Sequence, residues 1–341
     1  MPTSISQDRI DIVNALRAFA AIFVAWGHFS LGQGKWLSYS GRYGYTGVHI
    51  FFVISGFIIP YSLYRSGYTL RNFGRFVVKR GIRLYPPYLI SIPITLFAAN
   101  FLLRPITPAA AVHVGGLQLL YHLVFLNDLA GVPWFNVVYW TLAIEWQWYL
   151  LTGLFFALLV SRNAFLRFCP VAVAVAGYFL CTSDRIVFHT LPMFLIGVFV
   201  FQYKIGLIGR QRMLALIGVM LWTMRRPTGW TEAGIAVATG LVIAFVSFRN
   251  PIADFLGDVS YSVYLLHLPL GVTLVSWLSR LLPYASSYLG LLDLLGLAVS
   301  VGGAALLYRW VEKPSQEMSS RVRFVREEPR KMALASTAAA K

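Results

Sequence analysis

The chain has 341 residues, 58% of them hydrophobic and only 12% charged. That is roughly half the charged share of an ordinary soluble domain, too little polar surface to cover a water-soluble sphere. The formal net charge of +16 fits Lys and Arg gathered in cytoplasmic loops beside anionic headgroups better than a nucleic-acid surface, so a lipid bilayer is expected as a partner and nucleic acid is not. Cys169 and Cys181 make no metal spacing and are too few for a disulfide framework. The first eleven residues are polar and no cleavable signal is expected.

In chain order, ten apolar segments can be drawn, over 14–31, 45–64, 84–103, 139–160, 170–183, 187–203, 212–223, 233–248, 260–279 and 288–310. A further apolar stretch, 114–126, reads as a re-entrant or interfacial piece. The predicted fold class is all-α: a polytopic integral membrane helix bundle of about ten transmembrane helices without a soluble domain. Between segments, the loop 65–83 holds Arg65, Arg71, Arg75, Lys79, Arg80 and Arg83 with no acid, so the positive-inside rule makes it cytoplasmic. Counting from it, the N-terminus, the loops near Arg162/Arg167, Lys204/Arg210/Arg212 and Arg249, and the tail after Arg309 fall on the same side. Arg225 and Arg226 fall on the other. One membrane domain over 1–314 and a disordered cytoplasmic tail over 315–341 are expected.

Polar groups within apolar segments carry the functional information, because burying them in hydrocarbon is costly. In the first segment Arg17 and His28 are eleven residues apart, three helical turns, which places them on nearly one face about 16 Å apart along the axis. An imidazole with an ordinary pKa near 6.5 takes and returns a proton at neutral pH; helix packing for His28 and snorkelling to headgroups for Arg17 are the structural alternatives. The second segment carries His49 as a possible lining group and Ser55-Gly56, which allows close helix approach. Tyr85, Pro86 and Pro87 mark the start of a helix at the interface. Arg80 and Arg83 suit phosphate, because the guanidinium fork donates two hydrogen bonds at once. Glu145 is a lone acid in an aromatic run, to be neutralised or paired with an Arg. Asp258 reads as a helix-start acid beside Ser260, His267 lies inside a membrane segment, and Glu312 pairs locally before Pro314 stops the helix. No His-rich metal spacing, phosphate-binding Gly loop or Gly-x-Ser-x-Gly elbow is present.

Taken together, these stretches resemble the membrane-bound acyltransferase-3 family of bacterial glycan O-acyltransferases. The resemblance rests on Asp11, on Arg17-x10-His28, on Phe51-Phe52-Val53-Ile54-Ser55-Gly56-Phe57 and on Arg80-x2-Arg83-Leu-Tyr-Pro. It continues through Trp140-Thr141-Leu142-x2-Glu145-x3-Tyr149, Gly257-Asp258-x-Ser260-Tyr261-Ser262-x-Tyr264-Leu-x-His267 and Glu312-Lys-Pro, in family order from residue 8 to about 314. It departs at His49, where many members carry an acid. The resemblance implies a multi-pass protein of the bacterial inner membrane with both termini cytoplasmic. It also implies no tightly bound cofactor, acetyl-CoA or another acyl-CoA as donor, and a glycan or lipid-linked saccharide acceptor, as in polysaccharide modification. His28, Arg17 and Glu145 are the expected catalytic residues, with His28 as general base or acyl carrier, Arg17 orienting the donor or balancing Glu145, and Glu145 fixing an imidazole tautomer or relaying a proton. Arg75, Arg80, Arg83 and Tyr85 are expected to bind the donor, and His49, Ser55, Trp140, Tyr261 and His267 the acceptor. The rival reading is a proton-coupled transporter or flippase of a glycan or small solute, with Arg17, Glu145 and His28 along its pathway.

Overall fold

A computed structural model describes residues 11–30, 39–105, 107, 112, 114–181, 183, 185–225, 228–282 and 288–325. Every regular element among them is helical. α1 (Asp11–Ser30), α2 (Gly47–Arg65) and α3 (Phe73–Phe97) are followed by a short α4 (Gly116–Val124). Then come α5 (Trp140–Leu159), α6 (Ala164–Leu180), α7 (Val187–Lys204), α8 (Arg210–Met224), α9 (Trp230–Phe245) and α10 (Pro251–Asp258). α11 (Ser260–Leu266) passes through a π-helical stretch, His267–Val272, into α12 (Thr273–Leu281). α13 (Leu289–Leu307) passes through a second, Tyr308–Glu312, into α14 (Lys313–Arg321). Each of the ten expected segments meets a helix, but among the described residues seven helical stretches are long and apolar enough to cross a bilayer. Ala164–Leu180 and Trp230–Phe245 are apolar but shorter.

The bundle is held by close helix approach as well as by large side chains. A Cβ on Gly56 would fall 2.0 Å from the Phe194 carbonyl oxygen, and one on Gly197 would fall 2.2 Å from that of Val53. α2 and α7 therefore touch backbone to backbone at these two positions, as the Ser55-Gly56 pair predicted. Phe57, Ile144, Phe194 and Phe201 fill the surrounding core. α1 meets α2 and the turn before it in the same way, Gly27 against Gly44 of the turn and the Ala20 carbonyl against Gly47 of α2. α1 and α2 run antiparallel, so the start of α1 lies at the end of the bundle that carries the basic segment 65–83.

Two expectations are corrected here. The segment 65–83 is not mostly loop, because α3 begins at Phe73 and runs unbroken through Pro86, Pro87 and Pro93. A proline removes one helical donor without ending a helix whose neighbours re-satisfy the backbone, and Tyr261 donates to the Leu84 carbonyl oxygen beside these prolines (2.9 Å). Arg80 and Arg83 thus lie on a helix inside the bundle. The ordered chain also runs past residue 314. α14 packs on α3, with Ser319 donating to the Lys79 carbonyl oxygen (2.9 Å). Asn72, 1% exposed, then pairs with both backbone groups of Val325. Of the expected tail, 326–341 lies outside the described residues.

Candidate active site

Two helices bring three cations to one cavity of about 300 Å³. α1 supplies Arg17 and α3 supplies Arg80 and Arg83, one turn apart on the same face. α5 and the second π stretch add Glu145 and Glu312. Ser55, Tyr149, Tyr261 and Tyr264 add to its polar wall, and the apolar wall includes Phe51, Phe52 and Leu142.

The charges do not cancel by contact. Among the described residues, no Arg–Glu pair in this cavity closes to salt-bridge distance; the acids are held by neutral donors instead. Glu145 accepts from Ser55 Oγ (3.2 Å) and Tyr149 OH (2.5 Å). Glu312, 1% exposed, accepts from Ser262 Oγ (2.6 Å) and Gln316 Nε2 (3.0 Å). The Arg80 guanidinium lies 5.4 Å from the Phe76 ring centre and 5.5 Å from that of Tyr149, within cation–π range. Its Nε is buried without a hydrogen-bond partner. Three cations against two anions, with a buried guanidinium donor unused, make a cradle for an anion.

At the opposite end of α1 the chemistry changes. His28 is half-buried, and its Nδ1 sits 3.0 Å from the Val24 carbonyl oxygen and 3.3 Å from Nε2 of His267. The ring centres are 5.1 Å apart. His267 is fully buried, with Nδ1 2.8 Å from the Tyr264 carbonyl oxygen and 3.2 Å from that of Val263. Tyr264 joins the two regions. Its ring lines the Arg cavity and stands 5.9 Å from the His267 ring, and its hydroxyl is shared with Thr141 Oγ1 (2.7 Å) and the Val138 carbonyl (3.1 Å).

The structure therefore brings Arg17, Arg80, Arg83, Glu145, Ser55 and Tyr261 into one cavity, and His28 with His267 beyond it. Glu145 is not the partner of His28, because α5 turns that side chain toward Ser55 and the arginines. Four further expected site residues belong to neither group. Arg75 is exposed on the first turn of α3. Tyr85 donates to the Leu123 carbonyl oxygen (2.7 Å) and packs on Trp146 and Phe125. Trp140 lies under the Arg185 guanidinium. His49 packs edge-on against Tyr45, which hydrogen-bonds Glu232. Glu312 is the charged site residue that sequence reasoning missed, along with Tyr149 and Tyr264; an acid closing an apolar segment, read as a lining group, was the available signal.

The segment expected to be re-entrant or interfacial, 114–126, packs on α3 through Tyr85 and Tyr88, whose hydroxyls reach the carbonyls of Leu123 and His122. His122 Nε2 accepts from the Phe135 N–H (3.0 Å), and burial holds this imidazole below its ordinary pKa.

A family model described as an acyltransferase domain matches residues 10–309. The chain is 25% identical to nodulation protein 10 of Rhizobium leguminosarum bv. viciae, over 89% of this chain and 92% of that protein. It is 29% identical to peptidoglycan O-acetyltransferase OatA of Listeria monocytogenes serovar 1/2a, over 44% of this chain and 24% of OatA. It is 27% identical to acyltransferase MdmB of Streptomyces mycarofaciens, over 51% of this chain and 46% of that protein. No solved structure matches. The match over nearly the whole chain, on a bundle of membrane-length helices, makes this a multi-pass membrane enzyme that transfers acyl groups: the chain belongs to the acyltransferase-3 family.

Proposed function

We propose that the protein moves an acetyl or similar short acyl group from acyl-CoA at the basic, cytoplasmic end of the bundle to a sugar hydroxyl of a surface or exported glycan. The reading is carried by one observation: the α1 helix that contributes Arg17 to the three-arginine cavity also carries His28 three turns away. Arg80, Arg83 and Arg17 take the phosphates of the donor as charge-assisted hydrogen-bond donors, and Glu145 and Glu312 keep the guanidinium groups apart and aimed into the cavity. The pantetheine arm then runs along α1, past Tyr264, toward His28. Positive charge at this end of the bundle supports a cytoplasmic position for it, and for both termini, at a bacterial inner membrane.

In the transfer step a ring nitrogen of His28 accepts the proton of the sugar hydroxyl as its oxygen attacks the thioester carbonyl carbon. The carbon–sulfur bond breaks, the coenzyme leaves as a thiolate, and the imidazolium returns the proton to that sulfur. The same nitrogen can instead attack the thioester carbon first and release the coenzyme as a thiolate, which then takes the proton of the sugar hydroxyl as its oxygen attacks the acyl-imidazole and the carbon–nitrogen bond breaks; an acyl-enzyme trapped on His28 would identify that order.

The test is thioester cleavage by the purified protein, with acetyl-CoA as donor and an oligosaccharide as acceptor. Acceptor-dependent release of free coenzyme, with acetate esterified on the sugar, is the expected result. A protein that neither binds nor cleaves acetyl-CoA overturns the reading.

A further inference from the structure

The two rings of the His28–His267 pair leave no freedom in where their hydrogens sit. A carbonyl oxygen only accepts, so His267 Nδ1, between the carbonyl oxygens of Tyr264 and Val263, carries the hydrogen. The neutral ring then has its lone pair on Nε2. That lone pair faces His28 Nδ1 at 3.3 Å, an atom that also faces the Val24 carbonyl oxygen at 3.0 Å. Two acceptors bracket it, so His28 Nδ1 carries a hydrogen shared between them. The lone pair of His28 is left on Nε2.

We infer that His267 is the positioning residue that fixes the reactive tautomer of His28, making Nε2 the atom that takes the proton or the acyl group. This rests on the reading of His28 as the base. His267 does what a buried carboxylate does in a hydrolase triad, orienting the imidazole by accepting from its far N–H, but without charge. When Nε2 gains the proton of the sugar hydroxyl, the Nδ1 hydrogen stays in place and the imidazolium is stabilised by two neutral acceptors. Nε2 then gives its proton to the departing thiolate and the original tautomer returns.

The backbone is shaped for this contact. His267 opens the π-helical stretch His267–Val272, and such widened turns are frequently found at functional sites. Where the stretch meets α1 a side chain is excluded, because a Cβ on Gly271 would fall 2.5 Å from the Phe29 ring. Phe29 is the residue after His28. The widened turn thus presses His267 against the one segment of α1 that bears the other imidazole.

The deciding experiment combines a spectrum with kinetics. The protein contains six histidines, few enough for ring-15N-labelled protein in micelles to be read by two-bond 1H–15N correlation, with His28→Ala assigning the His28 signals. The wild-type His28 ring is expected to hold its hydrogen on Nδ1; a hydrogen on Nε2 overturns the inference whatever the activity. His267→Ala is expected to lower kcat about 10- to 100-fold with the KM for acetyl-CoA unchanged, and to let the His28 hydrogen redistribute. His267→Gln, whose amide oxygen can accept from His28 Nδ1, should recover most of that loss. Full kcat in the alanine variant, or equal losses in both variants, overturns the positioning role. If the wild type transfers no acyl group, or His28→Ala transfers it normally, the functional reading fails while the spectrum still decides the tautomer.

Discussion

The two ends of α1 solve opposite problems. Around Arg17, full charges are drawn into the bundle and kept from one another, five charged side chains in a cavity of about 300 Å³ whose acids are held by hydroxyls and an amide. Around His28, no carboxylate takes part among the described residues: two rings and three carbonyl oxygens set the geometry. A charged cradle serves binding, because an incoming polyanion replaces the missing counter-charge. A neutral dyad suits proton transfer, because holding the hydrogen on one imidazole nitrogen leaves the other as a free lone pair.

The comparison breaks first at His28. His28→Ala should lower kcat by about 10²- to 10⁴-fold, the usual worth of a positioned acid–base group, with little change in the KM for acetyl-CoA, as steady-state thioester cleavage would read. Removing one arginine should do the reverse. Arg83→Ala or Arg80→Gln should raise the KM for acetyl-CoA about 10- to 100-fold, the worth of one hydrogen bond to a charged group, and leave the acceptor KM nearly unchanged. Equal effects on both constants would count against phosphate binding. Ser55→Ala sharpens the division further. It removes one donor to Glu145 and should cost about 0.5–1.5 kcal/mol, read as a few-fold rise in donor KM without a change in kcat.

The smallest effect lies outside both regions, at His122. Burial lowers its pKa, so the neutral ring contributes stability that is complete above about pH 6.5, its unfolded value, and is lost as pH falls through the lower folded value. Protonation would remove the acceptor for the Phe135 N–H. Amide exchange across 116–136 should therefore quicken as pH is lowered from 7 toward 5, after correction for intrinsic rates, before exchange in α2 or α7 changes.

Much of this organisation was legible in the sequence, and the failures have physical causes. Arg17 and His28 were readable because both stand on one uninterrupted helix whose period fixes their relative placement. The Gly56 contact was readable because a small residue in an apolar run points to close approach. The His28–His267 pair was not, because the residues are 239 positions apart and a π-helical turn, which shifts the side-chain register, opens at His267. Glu312 was missed as a lining group for the same reason: it closes the other π-helical stretch, and its carboxylate reaches the cavity while also accepting from Gln316 four residues on. Tyr85 was misplaced because an aromatic beside two prolines looks like a helix boundary, whereas neighbouring helices let α3 continue through them. Arg75 fell outside the cavity because five residues along a helix from Arg80 is more than one turn and the wrong face.

The central claim is that donor binding and proton transfer are separated along α1. The direct measurement is equilibrium binding of acetyl-CoA to purified His28→Ala, compared with wild type. The account predicts wild-type affinity in a variant whose acyl transfer has fallen at least about 100-fold. Loss of acetyl-CoA affinity in parallel with activity would place the imidazole in the donor site and contradict it.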